Sequence, residues 1–302
     1  MQEPSKPRGL AKLWREVKRP FRRLRHKFRQ SIRKTVGYND LAQLCRELHQ
    51  DLRNELHGLH QDLRNELHGL HKDLWQDLTD FIQRSITTAL LHQKTFSKFK
   101  NIHQGQEIVL VACGPTAKDY KRIDGAIHIG VNRAFRLESI DLQYLFMQDF
   151  FAIKSYIKEA NQYKPGSCTK FYGWNDKIPV TVIPTSVAVE ANALRYRTDW
   201  TNNKYPCQFH YFIDSEPFGD FMSVVFSAIQ FALWTNPKTI FLVGCDCSSG
   251  YFDGPTPYDS CSSLMQGWMQ LKEFAELYYP ETKILSINPV GLKGVFDEYR
   301  QT

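Results

Sequence analysis

Residues 107–120 read EIVLVACGPTAKDY, and this stretch decides the fold. Ile108, Val109, Leu110, Val111 and Ala112 form an apolar run rich in β-branched residues. A run of that length closed by a turn reads as a strand buried on both faces. The turn is Cys113-Gly114-Pro115-Thr116. Gly114 lacks a Cβ, so a ligand can approach the backbone there, and Pro115 suits the first turn of a helix. Strand, tight loop and short helix would aim free N–H groups at the strand end, an arrangement that favours a phosphate. An ordinary strand–turn–helix corner with no ligand accounts for these residues equally well.

Outward from this stretch, strands and helices alternate. Residues 126–131 (AIHIGV) and 142–147 read as strands, ending at Asn132 and at Gln148-Asp149. Residues 150–163 read as a helix, 169–172 and 180–183 as short strands, 186–196 as a helix, and 208–213 as a strand. An apolar helix, 221–234, is led by Asp220. Residues 239–243 (TIFLV) form a buried strand that ends at Gly244-Cys245-Asp246. A polar loop (247–263), a helix (264–279) and a last strand (283–287) follow. The alternation predicts an α/β class: a single Rossmann-like domain on a parallel sheet over residues 96–302. Ligands of such sheets bind outside the carboxyl ends of the strands. Gly114, Asn132, Asp149 and Asp246 all fall at such ends. The coincidence favours a ligand site, although Asp and Asn alone are common turn residues.

The chain ahead of this domain is of a different kind. Residues 50–60, QDLRNELHGLH, are repeated as residues 61–71. Leucines recur every three or four positions from Leu41 to Leu78, and an eleven-residue period implies a nearly straight or slightly right-handed coiled coil. Residues 37–95 thus read as a long helical stalk. Nothing in its own chain covers its leucine seam, which predicts a homo-oligomer, trimer or tetramer. His57, His60, His68 and His71 read as flanking residues of the repeat rather than metal ligands. Residues 1–36 form a basic arm. Within residues 1–34, 13 lysines and arginines face only Glu3 and Glu16, a balance of +11; the whole chain carries +7, which leaves −4 for the rest. Leu10, Trp14, Val17, Phe21, Leu24 and Phe28 recur at helical spacing among those charges, a pattern that suits an anionic membrane surface. Charge so confined argues against a nucleic-acid-binding domain.

Other classes are excluded on composition. The seven cysteines are odd in number and scattered, unlike a secreted disulfide framework. Cys245, Cys247 and Cys261 match no structural zinc spacing. No apolar run approaches the ~18 residues of a membrane span, and the basic N-terminus lacks the apolar core of a signal peptide. The expected place is the cytoplasm, peripheral on the inner face of the plasma membrane.

The set VACGPT (111–116), GVNRAF (130–135), FMQDF (146–150) and SAIQFALWTNPKTIFLVGCDCSSGYFDG (227–254) resembles two related bacterial families. One is the sialyltransferases of glycosyltransferase family 42. The other is the Maf flagellin glycosyltransferases with their hydroxymethylpterin diphosphokinase-like relatives. Both share a Gly-Pro-Ser/Thr loop after the first strand, an Asn after the second, and a Gly-x-Asp after a late strand. The resemblance spans about residues 105–296 and does not reach the stalk or the arm.

The resemblance implies a nucleotide-sugar site. Gly114, Pro115 and Thr116 would approach the phosphate or ribose, Asn132 and Asp149 would line nucleotide and sugar, and Ser223 would lie near the donor sugar. Asp246 would order the loop after the late strand, with Ser248, Ser249 and Tyr251 on a lid. Family 42 places a catalytic His between that lid and the next helix, whereas residues 247–278 contain none. The domain offers only His103, His128 and His210. Transfer to a hydroxyl needs a general base, and the candidate catalytic residues are Asp149, Asp246, Asp253 and Asp259. No D-x-D stands at a strand end, so no metal and no other cofactor is expected. The implied activity is glycosyl transfer from a nucleotide donor, a CMP-sugar of sialic-acid or Kdo type, to a lipid-linked or surface glycan. An ATP- and magnesium-dependent diphosphokinase-like enzyme, with Asp149 and Asp246 beside the metal, stays open. So does a non-enzymatic coiled-coil scaffold with a degenerate nucleotide pocket. On the glycosyltransferase reading, Gly114→Val should impair nucleotide binding with little unfolding.

Overall fold

The strand read from residues 107–120 is the hinge of a parallel sheet. The computed structural model describes residues 38–175, 181–199, 208–248, 250–254 and 261–301. Among these, nine strands run parallel in the order β6-β5-β4-β3-β2-β1-β7-β8-β9. They are β1 (Glu107–Val111), β2 (Ile127–Val131), β3 (Tyr144–Gln148), β4 (Thr169–Trp174), β5 (Leu194–Asp199), β6 (Phe218–Gly219), β7 (Thr239–Val243), β8 (Lys283–Ser286) and β9 (Asp297–Glu298). The chain lays β1 to β6 outward in one direction, then returns to place β7 on the other side of β1. The β1–β7 pair is therefore the point where strand order reverses. Both strands are buried almost throughout, as their unbroken apolar runs require.

The helices are α1 (Tyr38–Phe96), α2 (Phe150–Ile153), α3 (Ile157–Gln162), α4 (Thr185–Glu190), α5 (Val224–Trp234) and α6 (Cys261–Tyr278). Every residue of α5 is buried, and it packs across β1, β2 and β3. Its Phe231 meets Phe146 and Phe171, whose rings stack 4.5 Å apart. Each such buried ring contributes roughly 1.5–3 kcal/mol by leaving water.

Several elements differ from the sequence reading. Residues 150–163 make two short helices, α2 and α3, rather than one. The expected helix over 186–196 stops at Glu190; Asn192 turns left-handed (φ +49°) and the chain becomes β5. The expected strand at 208–213 is irregular, its place taken by the two-residue β6. Thr181 to Ile183 form no strand, and residues 176–180 lie outside the described set.

α1 is one helix of 59 residues. The chain divides into two compact units, Met1–Ile82 and Gln83–Thr302. In the described part of the first unit, Leu56, Leu63, Leu67, Leu70, Leu74 and Leu78 are exposed. The second unit begins at Gln83, ahead of the expected boundary at residue 96, because the last turns of α1 are core. His92 and Phe96 have no exposed surface. The His92 ring bonds the Ile213 carbonyl (Nδ1, 2.9 Å) and accepts the Arg197 N–H (Nε2, 2.8 Å). That pairing makes Nδ1 the protonated nitrogen. Burial, with the Arg197 charge adding to it, lowers its pKa to about 4 against the bonds to Ile213 and Glu216. No helix of the described residues is long and apolar enough to cross a membrane. The basic arm, residues 1–36, lies outside the described residues.

Candidate functional site

The loops after β1 and β7 meet directly where the strand order reverses. Gly114 donates its N–H to the Gly244 carbonyl at 2.8 Å. Pro115 opens a 3-10 turn, Pro115–Asp119, whose first free donors are taken by Asp246. The Thr116 N–H reaches Asp246 Oδ2 at 2.8 Å, and the Thr116 hydroxyl donates to Oδ1. Asp246 is buried, and Gly291 of the loop after β8 donates to its carbonyl at 2.7 Å. The carboxylate thus caps, from the end of the adjacent strand, the turn that the sequence suggested for a phosphate.

A Cβ on Gly114 would overlap the Gly244 carbonyl and lie 2.7 Å from the Asp246 Cγ. The glycine is needed because its own protein approaches. Gly244, at φ +64°, faces Ala112 and Ala117 with equal closeness.

A second group of polar residues lies at the carboxyl ends of β3, β5 and β6, and most of it escaped the sequence reading. Asp220 follows β6 and is 2% exposed. Gln148, the last residue of β3, donates to its Oδ2 at 2.8 Å, and the Met222 N–H to its Oδ1 at 3.0 Å. The Thr198 hydroxyl leans on the carboxylate without full hydrogen-bond geometry. The Ser227 hydroxyl of α5 donates to the Gln148 amide oxygen at 3.5 Å. Burial raises the Asp220 pKa to about 6, against the bonds from Met222 and Gln148 and the nearby Thr198 hydroxyl; the neighbouring Asp199 charge adds to the rise. An acidic residue at position 220, between Phe218 and Phe221, was the signal available in the sequence.

The backbone is strained along the same edge. Asn132 after β2 (φ +46°), Asp149 after β3 (+65°), Phe221 and Met222 after β6 (+35° and +63°) and Cys247 after β7 (+46°) are all left-handed. Non-glycine residues held so concentrate where structure serves a site. The Asn132 amide oxygen is buried without a hydrogen-bond partner among the described residues. Asp149 caps α2 through one oxygen, which accepts from Phe151 at 3.1 Å. Ser223 caps α5, accepting from Val225 at 3.4 Å.

The loop after β7 folds over the ends of β1 and β2. Phe252 donates to the Cys113 carbonyl at 2.9 Å. Tyr251 lies 5.1 Å from the Arg133 guanidinium. Asp253 binds Arg133 (3.1 Å) and Arg136 (2.9 Å) with its two oxygens. The candidate bases are therefore unequally placed. Asp246 and Asp253, like Asp220, have both oxygens engaged, Asp149 has one engaged, and Asp259, with Ser249, lies outside the described residues. Ser248 is half-buried. Burial pushes the Cys113 thiol up to about 12, and it donates to the Val131 carbonyl at 3.2 Å, so it is a packing group. His103 bonds Gln106 and Tyr144, and His128 bonds Tyr120 and Ala126. Both are tied up away from this edge, His103 ahead of β1 and His128 early in β2. Among the described residues no group of three or more His, Cys, Asp or Glu is placed to hold a metal.

Fold and edge together define an open parallel α/β protein with an ionisable, strained carboxyl edge. No family model matches the chain, and no curated protein matches it significantly. Among solved structures it is similar to a Maf glycosyltransferase from Magnetospirillum magneticum AMB-1, with 13% identity and a TM-score of 0.43. The match covers 70% of this chain and 37% of that one, so the chain spans little more than a third of that protein's length.

Proposed function

We propose that the protein is a glycosyltransferase that takes a sugar from a nucleotide donor at the carboxyl edge of β2, β3 and β6. The observation that carries the reading is Asp220: a buried carboxylate after an edge strand, bonded by Gln148 at 2.8 Å and by left-handed Met222 at 3.0 Å, whose pKa burial raises to about 6. A general base works best with a pKa near the working pH. The resemblance of VACGPT, GVNRAF and FMQDF to nucleotide-sugar enzymes supports the donor class, with a CMP-sugar as the first choice and a lipid-linked or surface glycan as acceptor. Asn132 and Asp149 would face the donor, and Asp220 would take the acceptor's proton once the Gln148 amide, which holds its Oδ2 in the resting structure, turns to the substrate. Positioning and one base suffice in outline, since the donor brings its own leaving group. The exposed leucines of α1 support assembly of several copies, and the charge of the arm supports contact with an anionic membrane.

Incubating the full chain with CMP-, UDP- and GDP-sugars tests the reading. Donor hydrolysis or transfer should occur with one of them and fall at least ~100-fold in Asp220→Asn. If no donor is turned over and no nucleotide raises the melting temperature, the proposal fails. Stabilisation by ATP with magnesium alone would move the assignment to a diphosphokinase.

A further inference from the structure

Two arginines on the 3-10 turn after β2 converge on one carboxylate. Arg133 and Arg136 each contact a different oxygen of Asp253, at 3.1 and 2.9 Å. Both guanidiniums are braced independently of that contact. Arg133 stands over the Tyr156 and Tyr251 rings, 5.3 and 5.1 Å from their centres. Arg136 stands over Tyr156 at 5.4 Å and is forked by Glu159, at 2.6 Å through Nη2 and 3.2 Å through Nε. Guanidinium forks suit carboxylate and phosphate alike. The turn lies at the carboxyl edge and begins with Asn132, whose buried amide oxygen has no partner among the described residues.

We propose that Arg133 and Arg136 form a phosphate-binding site, and that Asp253 is an internal ligand that phosphate displaces. Arg133, Arg136 and Asp253 remain 28%, 33% and 19% exposed, so water and ions reach the pair. Ion pairs open to water on this scale are weak enough for a dianion to compete. Buried Phe252 and its bond to Cys113 keep the loop seated while the Asp253 side chain swings out. The four charges Arg133, Arg136, Glu159 and Asp253 sum to zero; a phosphate in place of Asp253 keeps both guanidiniums neutralised. The phosphate is either that of a nucleotide or a free inorganic one. The placement rests on reading this edge as the donor site, while the binding itself can be measured without turnover.

Calorimetric titration of the full chain with pyrophosphate, CMP and cytidine at low salt tests the proposal. Asp253→Asn removes the competing charge and should tighten pyrophosphate binding about three- to tenfold. Arg136→Gln should weaken it at least ~10-fold, and raising the salt should weaken it in the wild type. Asp253→Ser serves as a second variant, and each is titrated only if it melts cooperatively. Tightening for pyrophosphate and CMP but not cytidine assigns the site to a nucleotide phosphate; tightening for pyrophosphate alone assigns it to inorganic phosphate. Unchanged or weakened pyrophosphate binding in both Asp253 variants overturns the proposal. Intact pyrophosphate binding with no sugar transfer sinks only the glycosyltransferase reading.

Discussion

Asp220 and Gly114 show how a residue's surroundings set what a substitution does. At neutral pH Asp220 is ionised in a place that disfavours charge, at a cost of roughly 3 kcal/mol for a pKa raised from 3.8 to about 6. Asp220→Asn should therefore raise stability, by about 1–3 kcal/mol after imperfect hydrogen bonding is allowed for, while removing turnover. Urea unfolding of the variant at pH 7 measures this, and a destabilised Asn variant would show that the carboxylate holds its neighbours together. Gly114→Val was expected from the sequence to spare folding. With Asp246 and the Gly244 carbonyl where its side chain must go, it should instead destabilise by at least ~2 kcal/mol. A variant that melts like the wild type would contradict the close approach of the two loops.

At the scale of elements, α1 is the one whose last turns belong to the core of the second unit. Deletion of residues 1–82 should leave a cooperatively folding protein. Deletion of residues 1–95 also removes His92 and its bonds to Ile213 and Arg197, and should lower the melting temperature by several degrees or abolish the transition. Equal stability of the two truncations would place the boundary back at residue 96. The central strands were legible because β1 and β7 are unbroken apolar runs, and the parallel α/β class followed from their spacing. β6 and β9 were not, since two residues carry no periodicity. β5 carried a legible alternation, with Tyr196 and Thr198 buried and Arg195 and Arg197 half-buried, but the helix-forming residues of α4 just before it masked the change of period. The carboxyl-edge residues were found by their position after strands. Their partners were not, because Thr116 and Asp246 are 130 residues apart and no local pattern encodes that meeting.

Over the whole molecule, two buried groups pull acid stability in opposite directions. His92 has its folded pKa near 4, against 6.5 unfolded. The unfolded chain takes up that proton first, so the contribution of His92 is complete above pH 6.5 and is lost as pH falls toward 4. Asp220 has its folded pKa near 6, against 3.8 unfolded. Its contribution is complete below 3.8 and is lost as pH rises through 6. Each slope is about 1.4 kcal/mol per pH unit, and between about pH 4 and 6 they nearly cancel. Asp220→Asn should uncover the histidine slope, with stability falling on acidification from pH 6.5. Denaturant unfolding at several pH values checks this, and profiles parallel to the wild type would show that Asp220 does not titrate in this range.

The position of β7 beside β1 also bears on how the protein is made. During synthesis β1 emerges 132 positions before β7, its partner from Glu107↔Thr239 onward. Until then five residues of apolar strand have a neighbour on one side only, an open edge of the kind that recruits other chains. Ribosomes stalled between residues 131 and 239 should carry a chaperone-dependent, aggregation-prone product. Release past β7 should close that edge, and the Thr116–Asp246 contact then records that β7 has taken its place beside β1, before β8 and β9 are added.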